Sequence, residues 1–229
     1  MLKLKNKPHT DYGSENVDRA TAIASAYPAT SSFASSIVST ADRLRIDAAW
    51  LANVMNFESG FSTSVQNKLS RATGLIQFMP ATAKGLGTTV EALRQMTPQQ
   101  QMVYVEKYFN PQIGKMNSQE DVYMAVFYPK AIGKPDFVFS AKVQAMNHGI
   151  KTPRDYANMA NKRAKLTSFG NYTSSVNTES KITTKNKKPK KKKSNNVYIA
   201  LGISALLIVG GLIYRSKKVK ELNSLKGTR

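Results

Sequence analysis

Apolar residues in the middle of the chain recur at helical spacing. Phe33, Ile37, Ala41 and Leu44 follow one another at steps of four, four and three, which lines one face of a helix. Asp47 stands where it caps a second helix, filled by Trp50, Leu51, Val54, Met55 and Phe57 and stopped at Gly60. Thr88 is placed to cap a short helix through Leu93. Thr97-Pro98 offers a cap and a first-turn proline for a helix running to Phe109, just ahead of Asn110-Pro111. Ser118 with Asp121 has the form of a capping box, Asp standing in for Glu, and opens a helix that meets Pro129. A weaker helix is expected over 140–147. Thr152-Pro153 with Asp155 starts the last, which is expected to reach about Leu166.

Period-two alternation is scarce, and "DFVFS" at 136–140 is the best fragment of it. The expected fold class is therefore mainly α, one globular domain over 32–170 with no internal repeat. Residues 1–31 are polar and weakly patterned and read as an extended arm. Beyond the domain, Ser, Thr, Asn and Lys take over. Residues 181–193, "KITTKNKKPKKKK", hold eight lysines in thirteen positions and cannot collapse on themselves. Residues 171–196 therefore read as a basic linker.

Composition narrows the chemistry. The 229 residues contain no cysteine and two histidines, His9 and His148. Disulfides and thiolate metal sites are excluded, and a histidine metal centre or a Ser/His/Asp triad has little to build on. No cofactor and no metal are expected. The formal charge of +20 is split unevenly: residues 1–170 carry a net +8 and residues 171–229 a net +12.

That basic end encloses "VYIALGISALLIVGGLIY", residues 197–214, eighteen positions without a charge. At ~1.5 Å per residue a helix of this length reaches ~27 Å, close to the hydrocarbon thickness of a bilayer. Tyr198 and Tyr214 sit at the interfaces, with Lys193 and Arg215 just outside. One C-terminal transmembrane helix is expected, followed by a basic tail, 215–229. The chain's start has basic residues but no apolar run behind them, so a secretory signal is not expected.

Two stretches carry candidate chemistry. In "VMNFESGF" (54–61) a lone carboxylate, Glu58, ends an apolar helical run beside Met55, Phe57 and Phe61. Apolar surroundings penalise a charged carboxylate and raise its proton affinity, which an acid that protonates a leaving oxygen at neutral pH requires. In "ATGLIQFMPATA" (72–83) a glycine and a proline frame Gln77, whose amide has both donors and an acceptor for hydroxyl and N-acetyl groups of a sugar. From Ser59 to Val90 there is no further acid. Glycosidases that use two carboxylates keep them ~5–9.5 Å apart, so a second acid would have to fold back from a distance, with Asp121 and Asp136 as the candidates.

The pair "ESGF" and "ATGLIQFMPATA" resembles the soluble-lytic-transglycosylase family, with its lysozyme-like fold, especially phage-encoded members. Similarity continues through "MTPQQQMVYVEKYF" and "YMAVFYPKAIGKP", covering roughly 45–155. The resemblance implies that Glu58 is catalytic and that Ser59, Gln77 and Met79 line the glycan cleft. It also implies a tyrosine touching the acid, usually in an Ala-Tyr-Asn context. Here the nearest match is "VFYPKA", so Tyr128 takes that place, with Pro129 for the asparagine and Phe127 as the rival.

The activity so implied is cleavage of the MurNAc–GlcNAc bond of peptidoglycan to 1,6-anhydro ends, by one glutamate acting first as acid and then as base. The alternatives are a lysozyme-type hydrolase on the same fold, or a non-catalytic virion membrane protein binding DNA through its lysines. The expected partners are glycan strands, a lipid bilayer through 197–214, and anionic headgroups or packaged DNA through Lys185 to Lys193. Other virion proteins are also possible partners. A tail anchor without a signal would leave the enzyme away from the cell wall. The virion membrane of a membrane-containing phage resolves that conflict and is the expected location.

Overall fold

In the computed structural model the described residues are 12–147 and 149–170. They form helices joined by irregular segments, with no strand among them; Gln66, Thr73 and Phe78 make only isolated bridges. The alternating fragment 136–140 is accordingly not a strand. Its backbone bonds are scattered and form no ladder: Phe137 N donates to Lys134 O (3.0 Å), Phe139 N to Lys151 O (2.9 Å), and Ser140 O accepts from Gln144 N (3.0 Å).

The first helix, α1 (Tyr12–Ala26), lies where an extended arm was expected. Its buried face is thin: Ala20, Ile23 and the following Tyr27. Small side chains give a weak periodic signal, and a long-range ion pair adds to the packing of Ile23 and Tyr27. Arg19 reaches Asp42 at 2.9 and 3.1 Å on α2 (Ala34–Leu44). Residues 1–11 of the expected arm lie outside the described residues.

At the centre is α3 (Ala48–Ser59), capped by the Asp47 side chain on Ala49 N and closed by Gly60 in the left-handed conformation (φ 59°). It is buried nearly all round, as a helix enclosed by others must be. It packs against α1 and α2 and against two later helices described below. A long loop then leads to α4 (Pro80–Gly85) and α5 (Val90–Gln95). The cap of α5 is Thr89, not Thr88, one residue later than the pattern suggested.

The capping signals were read correctly for the next helices. Thr97 and Gln100 form a full capping box on α6 (Pro98–Phe109), and Ser118 caps α7 (Gln119–Phe127) by accepting from Asp121 N. Helix α8 (Ala141–Met146) is short, and α9 (Pro153–Asn161) opens on a Thr152–Asp155 box. It ends before the expected Leu166 because residues 163–170 leave helical geometry and bond to side chains of α3 instead.

No helix among the described residues is long and apolar enough to cross a membrane. The expected linker, span and tail at 171–196, 197–214 and 215–229 lie outside the described residues.

Candidate active site

Glu58 stands in the last turn of α3, where a glutamate ordinarily faces water. Here it is 4% exposed. Phe57 packs edge-on to Tyr123 of α7 (5.9 Å) and to Tyr156 of α9 (5.7 Å), and Phe127 stacks on Tyr156 at 4.1 Å. Those rings close the site from two helices. Burial pushes the Glu58 carboxyl up to about 8, opposed only by the hydrogen bond that the Tyr156 hydroxyl donates to Oε1 at 3.3 Å. That bond is long for O–H···O, whose usual span is ~2.5–3.0 Å, so it opposes the burial only weakly. The phenols of Tyr156 and Tyr123 are themselves held well above their ordinary values by burial.

Among the described residues no other carboxylate contributes to the proton affinity of Glu58. The two distant acids that might have folded back are engaged elsewhere. Asp121 binds Ser118, Asn117 N and Gly133 N in the loop after α7. Asp136 pairs with Arg154 at 3.2 Å on the surface. Among the described residues no group of acids or histidines has the arrangement of a metal site.

The loop 60–79 is built to approach α3 closely. Ser59 Oγ donates to its own helix at Met55 O (3.2 Å) and across to Leu75 O (3.0 Å), joining the two candidate stretches directly. Gly74 takes φ +77°, and a Cβ there would run into the Gln101 side chain, with Nε2 only 2.9 Å away. Gln101 is fully buried. Its Oε1 accepts from Leu75 N (3.0 Å), and its Nε2 donates to Thr63 O (2.8 Å) and Leu93 O (2.6 Å). One amide thus pins the loop from both sides.

Gln77 is placed differently from the expectation. It sits at φ 54°, is 6% exposed, and spends its amide N–H groups on Gly74 O (3.1 Å) and Val65 O (3.4 Å). In this conformation those donors shape the loop. Met79 is half-buried ahead of α4 and shares with Gln77, Thr82, Tyr108 and Val126 the wall of a small depression that Glu58 does not line.

The tyrosine that touches the acid is Tyr156, which replaces Tyr128 in that place. Tyr128 ends α7 and turns its ring toward Phe137 (5.6 Å) and Phe139 (5.3 Å). The rival Phe127 reaches the site only by stacking on Tyr156. Position 128 is where α7 breaks ahead of Pro129, so its side chain leaves the helix face that carries Tyr123 and Phe127 toward α9. In the sequence, Tyr156 looked like an ordinary apolar position of the last helix. Gln101, one of three consecutive glutamines, carried no signal beyond its place in a polar run.

No solved structure matches the chain. A family comparison agrees with the geometry: residues 35–128, running from α2 to the end of α7 and including Glu58, Ser59 and Gln77, match the family model described as the transglycosylase SLT domain, a lysozyme-like family of lytic transglycosylases acting on peptidoglycan.

Proposed function

We propose that this protein is a peptidoglycan lytic transglycosylase whose single acid–base group is Glu58. The observation that carries the reading is the burial of the Glu58 carboxyl among aromatic rings, away from any other carboxylate of the described residues, which pushes its proton affinity up to about 8. At neutral pH such a group holds a proton to give.

In the proposed reaction Glu58 transfers that proton to the oxygen bridging MurNAc and GlcNAc. The C1–O bond breaks, the leaving sugar keeps the proton as its 4-hydroxyl, and positive charge develops at C1 next to the substrate's own N-acetyl group. Glu58, now a carboxylate and destabilised by its dry surroundings, takes the proton of the muramyl C6 hydroxyl. The C6 oxygen closes on C1. The products are a 1,6-anhydro end and a free 4-hydroxyl end, Glu58 has its proton back, and no water is consumed. Tyr156 supports the carboxylate in the second half of the cycle. Ser59, Gln77 and Met79 hold and shape the loop against which the glycan lies.

Two finer elements belong to the same proposal. Residues 197–214 anchor the enzyme in a bilayer, and the lysines of 185–193 hold the adjoining chain to anionic headgroups, at up to ~1 kcal/mol per lysine. The enzyme rides in the membrane of a virion and opens the wall locally at entry. These rest on the uncharged run and its basic flanks.

The test is turnover of purified peptidoglycan by the full chain and by Glu58→Gln. Cleavage by the parent and none by a folded Glu58→Gln supports the reading; equal cleavage by both removes Glu58 from the chemistry. Flotation of the full chain with anionic vesicles, lost on deleting 197–214, tests the anchor.

A further inference from the structure

Asn53 lies on α3 five residues before Glu58 and is 1% exposed. A carboxamide inside an otherwise apolar helix is costly unless its hydrogen-bonding capacity is used. Here it is used across the whole fold. Its Oδ1 accepts from the Tyr27 hydroxyl at 2.5 Å, and its Nδ2 donates to Gln119 Oε1 (2.9 Å) and to Leu166 O (2.8 Å). Gln119 in turn donates to the Tyr123 hydroxyl (3.4 Å) and to the Asn161 side chain at the end of α9.

The segment after α9 runs back along α3 as a strap. Arg163 O accepts from Asn56 Nδ2 (3.0 Å), Lys165 N donates to the Tyr27 hydroxyl (2.7 Å), and Phe169 N and Ser168 Oγ both donate to Asp47 Oδ2, the former at 2.8 Å. The Arg163 guanidinium lies 5.7 Å from the Phe57 ring centre. Asn53 bonds the strap, the residue after α1 and the first residue of α7 together.

We infer that Asn53 is a positioning residue of the Glu58 site: it seats α9 and the strap 163–170 against α3, and so holds Tyr156 and the ring cage over the carboxyl. It touches neither the acid nor the substrate. The inference rests on the proposed role of Glu58 for its catalytic meaning, but not for its physical content. The titratable groups facing Glu58 are Tyr156 from α9 and Tyr123 from α7, whose phenols are buried. Arg163 lies against the Phe57 ring and is not among the causes that shift the carboxyl.

The test uses the full chain carrying Asn53→Ala and, separately, Gln119→Ala, whose side chain is only half-buried. Carbon NMR of labelled glutamate, with the Glu58 signal identified by its absence in Glu58→Gln, reads the titration without turnover. The expected result is a midpoint about two units lower in both variants, leaving roughly a tenth of the acid protonated at pH 7, with a rate on peptidoglycan down roughly tenfold and KM within about twofold. If Glu58 titrates as in the parent while only the melting temperature drops, Asn53 is a stability residue and the inference falls. If Asn53→Ala does not fold, the same readouts on Gln119→Ala decide. An inactive parent protein would overturn the catalytic reading of Glu58 and leave this titration as a measure of the strap.

Discussion

The hydroxyl of Tyr156 lies 3.3 Å from Oε1 of Glu58, across 98 positions of sequence, and among the described residues it is the hydrogen bond that moves the proton affinity of that carboxyl. The acid belongs to the stretch that matches the transglycosylase family, 35–128, whereas its partner comes from a helix beyond it. The surroundings of Glu58 are thus completed by a helix beyond the matched stretch.

Replacing Tyr156 by Phe removes a donor that favours the ionised carboxylate, so Glu58 should hold its proton above about 8. The basic limb of the pH–rate profile should move upward. Cleavage should nonetheless slow by roughly tenfold, because the carboxylate formed midway loses ~1–1.5 kcal/mol of support. A pH–rate profile of Tyr156→Phe checks both signs. A basic limb moving downward would contradict the role given to this bond.

The same burial links stability to pH. Glu58 titrates at about 8 in the folded chain against an ordinary 4.5. A raised folded value makes its contribution to stability full below the ordinary value. That contribution is lost progressively as pH climbs from about 4.5 through about 8. The melting temperature should therefore fall across this window, and Glu58→Gln, which is neutral throughout, should flatten the slope and melt higher than the parent at pH 8. Calorimetry at matched ionic strength measures it.

Gln101 and Gly74 should be the most sensitive positions away from the acid. Gln101→Leu leaves Leu75 N, Thr63 O and Leu93 O without their partner, at an expected cost of about 3–5 kcal/mol. Gly74→Ala combines a left-handed backbone with a collision against Gln101 and should cost a comparable amount. Urea unfolding followed by circular dichroism gives both values, and Gln101→Glu should fall between parent and Gln101→Leu.

Much of this architecture could be read from local signals. Asp47, Thr97, Ser118 and Thr152 cap helices by bonding within a few residues of themselves, so their spacing alone announces them. The apolar setting of Glu58 was legible too, since Met55, Phe57 and Phe61 are its neighbours in the chain and all are buried in the fold. What was hidden depends on distant contacts. α1 owes its place partly to Arg19 meeting Asp42, and the end of α9 is set by Asn53 and Asn56 capturing the strap. Tyr156 shows nothing in its own neighbourhood of its bond to Glu58. The tyrosine reading at 128 failed because a break before Pro129 turns that ring away from the face it was assigned to.

Digestion of peptidoglycan in heavy-oxygen water, followed by mass spectrometry of the new glycan ends, separates the chemistries at the atom that matters. If Glu58 works alone, delivering a proton and then collecting one from the sugar, every new muramyl end is the anhydro form and carries no heavy oxygen, and Glu58→Gln yields none. Reducing ends labelled from the solvent would contradict that, and would mean that water, not the C6 oxygen, attacks C1.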